Sequence, residues 1–147
     1  MNLDNIDRFK LRAWNKLSNE MKDVISLNIN HEFPECSNVV LETNTFDAIK
    51  THQNPINCAV GLKHVELLQC SGLKDKNGTL IYEGDIARFS FGNTNKIGVV
   101  SCSYTVWNIS NANFVQGAFC GGALINMHKK MKVVGNIFQN KELLDNE

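Results

Sequence analysis

Lys10, Arg12 and Trp14 alternate along one short segment. On a strand they share a face and set two cations beside an aromatic ring, the combination that grips a nucleotide or a single nucleic-acid strand. His128, Lys130 and Lys132 repeat the spacing near the C-terminus, with Lys129 opposite, as a second candidate anion site. Either set also reads as a solvated sheet face, and lysines on edge strands block unwanted pairing. Acids gather in the middle of the chain, where Glu32, Glu35, Glu42 and Asp47 suit a basic partner surface. Trp107 and Phe114 flank the polar stretch Asn108 to Asn113, as aromatic shoulders of a contact loop.

Catalytic constellations are weaker. Cys120 precedes Gly121-Gly122 with His128 eight residues on, a thiol with a base in reach, but a buried cysteine beside a glycine turn explains the same residues. His31, Glu32, Glu35 and Cys36, followed by His52, Cys58, His64 and Cys70, have no zinc spacing, and HEFPE is not HExxH. There is no GxxxxGK[ST], no GxGxxG after a strand and no GxSxG. No catalytic residue, metal ligand or cofactor is therefore expected.

The 147 residues are 43% hydrophobic and carry 15 Lys and Arg against 15 Asp and Glu. That balance fits a globular chain of one domain or two small modules and removes the overall attraction of a general nucleic-acid binder. Five cysteines without CxxC spacing read as reduced thiols. Met1 to Arg12 has no signal-peptide core, and the apolar stretch Gly117 to Met127 is too short to span a bilayer. These features predict a cytoplasmic protein with no membrane association. Open β edges predict a homo-oligomer.

The elements that must position these residues are mostly strands. Phe9, Leu11 and Ala13 alternate with Lys10, Arg12 and Trp14; Asn15 to Asn19 supplies a turn, and the return runs through Met21 to Leu27, although Val24, Ile25 and Leu27 break the alternation. Between 28 and 64 the chain is punctuated by Phe33-Pro34 and Asn54-Pro55, with a short helix after Thr45. Asp75-Lys76-Asn77-Gly78 predicts a hairpin and Gly84-Asp85 a second turn, followed by strands over Ile86 to Phe91, Ile97 to Val106, Phe114 to Cys120 and Met131 to Phe138. Asn140 is a candidate cap for a last helical turn through Leu144. Short strands with frequent turns imply a small barrel or sandwich.

Three stretches resemble the YopX family of phage and prophage proteins: FKLRAWNK at Phe9 to Lys16, LLQCSGLKDKNGTLIYEGDI from Leu67 to Ile86, and VVGNIF at Val133 to Phe138 with Glu142-Leu143-Leu144. Cys70-Ser71 and Lys141 depart from the family pattern, and residues 24–66 match nothing in it. The resemblance implies a mostly β chain, with an SH3-like β-barrel over 65–147, ending in a short helical turn, and a smaller N-terminal β-rich (α+β) module over 1–64. It implies no enzymatic activity and supplies no site residues. The expected function is that of a phage-encoded, non-enzymatic accessory protein. It would bind a host or phage protein stoichiometrically in the bacterial cytoplasm during infection or lysogeny, and so inhibit a host defence or regulatory component. Sequestration of an anionic nucleotide and direct nucleic-acid binding are the alternatives.

Overall fold

A computed structural model describes residues 9–42, 59–91, 93–103, 106–110 and 122–145. The described chain is mostly β, in two antiparallel sheets that do not close. Its strands are β1 (Leu11–Asn15), β2 (Glu20–Asn28), β3 (Asn38–Leu41), β4 (Ala59–Gly61), β5 (Val65–Lys74), β6 (Leu80–Tyr82), β7 (Asp85–Phe91), β8 (Thr94–Ser103), β9 (Val106–Ser110), β10 (Gly122–Ala123) and β11 (Met131–Asn136), with one short helix, α1 (Leu124–Met127). The sheet orders are β4-β3-β2-β1-β5-β6 and β10-β9-β8-β7-β11. Two compact units result: Lys10–Leu68, and Gln69–Glu147 together with Met1–Phe9. The boundary expected after residue 64 thus falls inside β5.

In the N-terminal unit, Ala13 is fully buried while its neighbours on β1 are half-exposed, the alternation expected of a one-sided strand. Asn15 closes the β1–β2 turn by accepting the Leu17 N–H at 2.9 Å, and Asn19 takes the left-handed conformation (φ 54°) that Asn tolerates. The core joins Ala13, Val39, Leu41 and Val65, with Val24, Val60, Leu62 and Leu67 packed on it. The broken alternation of β2 has a cause: the register with β3 shifts between Val24 and Ser26, a bulge that changes which residues face inward.

The C-terminal unit packs Ile81, Ala87, Phe89, Val100, Ile109, Leu124 and Met131 into one core. Both of its predicted turns form, with glycines in the left-handed region: Gly78 (φ 84°) ends Asp75-Lys76-Asn77-Gly78, and Gly84 (φ 76°) precedes β7. Asp75, 5% exposed, accepts the N–H groups of Asn77 (2.8 Å) and Thr79 (2.9 Å) through Oδ1 and that of Val133 (2.9 Å) through Oδ2. One side chain therefore closes the hairpin and fastens it to β11. Burial pushes the Asp75 pKa up, but the bonds from Val133, Thr79 and Asn77 outweigh that, and the carboxyl sits below its ordinary value of 3.8. Asp85, also buried, accepts the Tyr82 N–H at 2.8 Å.

Several expectations need correction. The stretch Ile97 to Val106 is two strands, because the chain reverses where Ser103 pairs with Val106; Tyr104 and Thr105 carry none of the usual turn signals. Asn108 lies on β9 instead of in a loop. His128 and Lys130 do not continue the last strand: His128–Lys130 forms a 3-10 turn, so only Lys132 is on β11. Lys141–Leu144 is a 3-10 turn, and Asn140 does not cap it; its Oδ1 instead accepts the Asn136 N–H at 3.3 Å. The helix expected after Thr45 and the strand expected over Phe114 to Cys120 lie outside the described residues.

Candidate functional site

The end of β2 and the segment after it carry apolar side chains that the core does not take. Ile25, Ile29 and Phe33 are 66%, 54% and 55% exposed. Glu32 and Glu35, on either side of Phe33, are exposed as well. Ile25, Ile29 and Phe33 lie within nine residues of chain, and large apolar side chains exposed beside charge are candidates for a contact site.

This segment is built to hold a shape. Asn30 Oδ1 accepts the N–H groups of Glu32 (3.0 Å) and Phe33 (2.9 Å), and the Asn30 N–H donates to the Ser37 hydroxyl at 3.0 Å. Ser37 is buried and its carbonyl accepts the Leu62 N–H at 3.1 Å, which ties the far end of the loop to the N-terminal unit. Pro34 opens a 3-10 turn, Pro34–Cys36, closed by the Cys36 N–H donating to the Phe33 carbonyl at 2.9 Å. Phe33 is thus presented to solvent on an ordered backbone. A partner that covers it meets little of the ordering cost that a floppy loop would impose.

The other candidate residues are distributed differently. Lys10 is exposed, whereas Arg12 and Trp14 are half-buried on β1. Arg12 lies directly across from Asp23, and Trp14 from Met21. The Glu42 N–H donates to the Asp23 carbonyl at 2.8 Å, which puts Arg12, Asp23 and Glu42 in one row across three neighbouring segments. A shallow cleft of about 260 Å³ there is lined by Arg12, Met21, Lys22, Asp23 and Glu42. Two cations and two carboxylates line it, and of the Lys10, Arg12 and Trp14 face it takes in Arg12 alone. Glu42 therefore belongs with this cleft in the sequence of strands, and Glu32 and Glu35 with Phe33.

Trp107, expected at a contact loop, packs against the C-terminal core from β9. Asp47 and Phe114 lie outside the described residues, as do Cys120, His52 and Cys58. Among the described residues no three His, Cys, Asp or Glu side chains come together to hold a metal ion. No helix among them is long and apolar enough to cross a membrane. His128, Lys129, Lys130 and Lys132 stay in one region of the C-terminal unit, on the 3-10 turn and the start of β11. Sequence reasoning missed Ile25, Ile29 and Phe33, since an apolar residue on a strand reads as core until its neighbours are known.

Fold and site together define a small two-unit β protein whose N-terminal unit presents Phe33 to solvent on a hydrogen-bonded loop. The model of the YopX protein family matches residues 10–145, and the chain belongs to that family. Among solved structures it is similar to the protein yopX from Bacillus subtilis, with a TM-score of 0.58 and 17% sequence identity over 93% of this chain and 98% of that one. It is also similar to protein EF1440 from Enterococcus faecalis, with a TM-score of 0.50 and 23% identity over 92% and 96% of the respective chains. At these identities the likeness is one of fold. No curated protein matches the sequence.

Proposed function

We propose that the protein acts by stoichiometric, non-enzymatic binding, with Phe33 as the anchor of a protein contact. The observation that carries this reading is an exposed phenylalanine fixed by backbone bonds to Asn30 and flanked by Glu32 and Glu35. The complementary surface on the partner is an apolar pocket rimmed by lysine or arginine, since the two carboxylates repel an acidic rim and steer a basic one. Membership in a family that the chain resembles as one of phage and prophage proteins supports a host or phage protein as that partner, met in the bacterial cytoplasm. Interference with a host defence or regulatory component is the concrete form we favour. For the C-terminal unit we favour an SH3-like barrel, supported by the bonds that fasten the Asp75–Gly78 hairpin to β11. Self-association through the edge strands is part of the proposal.

Affinity purification of the tagged chain from a bacterial host tests this reading. The expected result is a stoichiometric partner protein. Phe33→Ala should weaken its binding about 30-fold, the cost of roughly 2 kcal/mol for losing a central aromatic anchor. The melting temperature should not fall, because the side chain is mostly in solvent. The double variant E32K/E35K should slow association. A partner retained equally by the parent, F33A and E32K/E35K would place the contact elsewhere and overturn the proposal.

A further inference from the structure

The overall neutrality of the chain hides a separation of charge. Residues 69–147 carry eight Lys and Arg against six Asp and Glu. Two of those acids, Asp75 and Asp85, are buried and accept bonds from backbone N–H groups.

Five of these eight cations, Lys76, Arg88, Lys129, Lys130 and Lys132, lie on the edge strand β11 or on segments joined to it. The 3-10 turn His128–Lys130 is pinned to β5 by the His128 ring, whose Nδ1 lies 2.6 Å from the Lys74 carbonyl oxygen and donates its proton to it. The hairpin tip is pinned to β11 through the Lys76 N–H, which donates to the Met131 carbonyl at 3.1 Å, and through Asp75, which accepts from Val133. Lys132 follows Met131 on β11 and stands directly opposite Arg88 of β7. Met131 is fully buried, so its neighbour Lys132 points away from the core, and Lys76, Arg88, Lys129 and Lys130 are exposed with it.

We infer that this edge, formed by Lys76, Arg88, Lys129, Lys130 and Lys132, binds the phosphodiester backbone of nucleic acid. β11 is the last strand of its sheet, so Lys132 alone would be explained as protection of an edge against pairing. That account does not reach Arg88, which lies on β7 between β8 and β11, or the lysines of the turn and the hairpin. Two like charges directly opposite on an antiparallel pair destabilise the sheet. Arg88 and Lys132 accept that penalty, and an anion laid between them removes it. The cations lie along a strand, a turn and a hairpin tip tied by backbone bonds, a fixed track suited to a polymer of phosphates. Nothing here selects a base, so the contact is with the backbone and does not depend on sequence.

Fluorescence anisotropy with the full chain and a labelled oligonucleotide of about 20 nucleotides, single-stranded and as a duplex, tests this. Binding should weaken at least tenfold between about 50 and 200 mM salt. K130E/K132E should weaken it tenfold or more at the lower salt and flatten the duplex salt dependence by about two phosphate contacts. K76E should weaken it less, in the same direction. The thermal melt of K130E/K132E should not fall below that of the parent, because the Lys132–Arg88 repulsion is gone, and this separates lost binding from lost folding. Absence of binding at the lower salt, or equal binding by the charge-reversed variants, would overturn the inference. Displacement of the oligonucleotide by polyglutamate at equal charge would do the same, in favour of an acidic protein.

Discussion

Asp75→Asn should lower the unfolding free energy by about 3 kcal/mol, although the change preserves shape and nearly preserves volume. The carboxylate accepts three backbone N–H groups, two within its own hairpin and one from β11. An Asn amide has a single acceptor oxygen. If that oxygen keeps Asn77 and Thr79, the amide NH2 faces the Val133 N–H, and two donors oppose each other at a site 5% exposed. Hydrogen bonds to a charged group contribute about 1.5–3 kcal/mol each, and an orphaned buried donor costs about 1–3 kcal/mol. Urea denaturation of the parent and variant measures the difference, and a loss below about 1 kcal/mol would show that the charge contributes little.

The same residue sets a pH dependence. Because the folded pKa of Asp75 lies below the ordinary 3.8, the folded state binds its proton less readily than the unfolded chain does. The stability it contributes is therefore full above that ordinary value and is lost as the pH falls through the lower folded value. Asp75→Asn should remove this part of the acid sensitivity while lowering stability at neutral pH, so the two denaturation profiles converge as the pH falls. Parallel profiles would mean that other carboxylates carry the acid response. Since the Asp75 bonds also hold the hairpin against β11, the variant should loosen the placement of Lys76 relative to Lys132 as well.

What could be read from the sequence follows from how local the physics is. The turns at Asp75–Gly78 and Gly84-Asp85 were legible because Asn-Gly and Gly supply positive φ without help from the rest of the chain. The alternation in β1 was legible because Ala13 alone faces a core there. The reversal between Ser103 and Val106 was not, because no residue of the connecting pair has a turn preference and the pairing of β8 with β9 imposes it. The Arg12 and Trp14 face was legible as a face, but its charge was not: Asp23 and Glu42 come from other segments, and only pairing places them beside Arg12. The same holds for the basic edge, where His128 to Lys130 and Lys132 were visible in sequence while Lys76 and Arg88 join them only through the hairpin bond and the β7–β11 register. Phe33 was legible as the residue before a proline, but not as exposed.

Gly135→Ala should cost about 2–3 kcal/mol, and its partner in the clash can be named. A Cβ at Gly135 would lie 2.5 Å from Asn140 Oδ1 and 2.8 Å from Asn140 Cβ and Cγ. The flexible end of a side chain can swing aside, but Cβ is fixed to the backbone, so relief requires the turn after β11 to move. That turn is held on several sides. Asn136 Oδ1 accepts the N–H groups of Phe138 and Gln139, both at 3.0 Å, the Asn140 N–H donates to the Asn136 carbonyl at 2.9 Å, and the Ile137 N–H donates to the Gly84 carbonyl at 3.0 Å. Overpacking in such a place costs typically 1–3 kcal/mol. Asn140→Gly removes the obstructing atoms and gives up only the long bond to the Asn136 N–H, so G135A/N140G should recover at least 1 kcal/mol relative to the sum of the two single changes. Strict additivity would show that the contact is not the cause. A positive coupling would explain the glycine of the VVGNIF stretch as room for the turn that follows it. The motifs by which the sequence resembles its family would then be devices of folding, at Gly135 as at Asp75, and the surfaces argued to bind, around Phe33 and along the Lys76 to Lys132 edge, would rest, Lys76 apart, on residues outside those motifs.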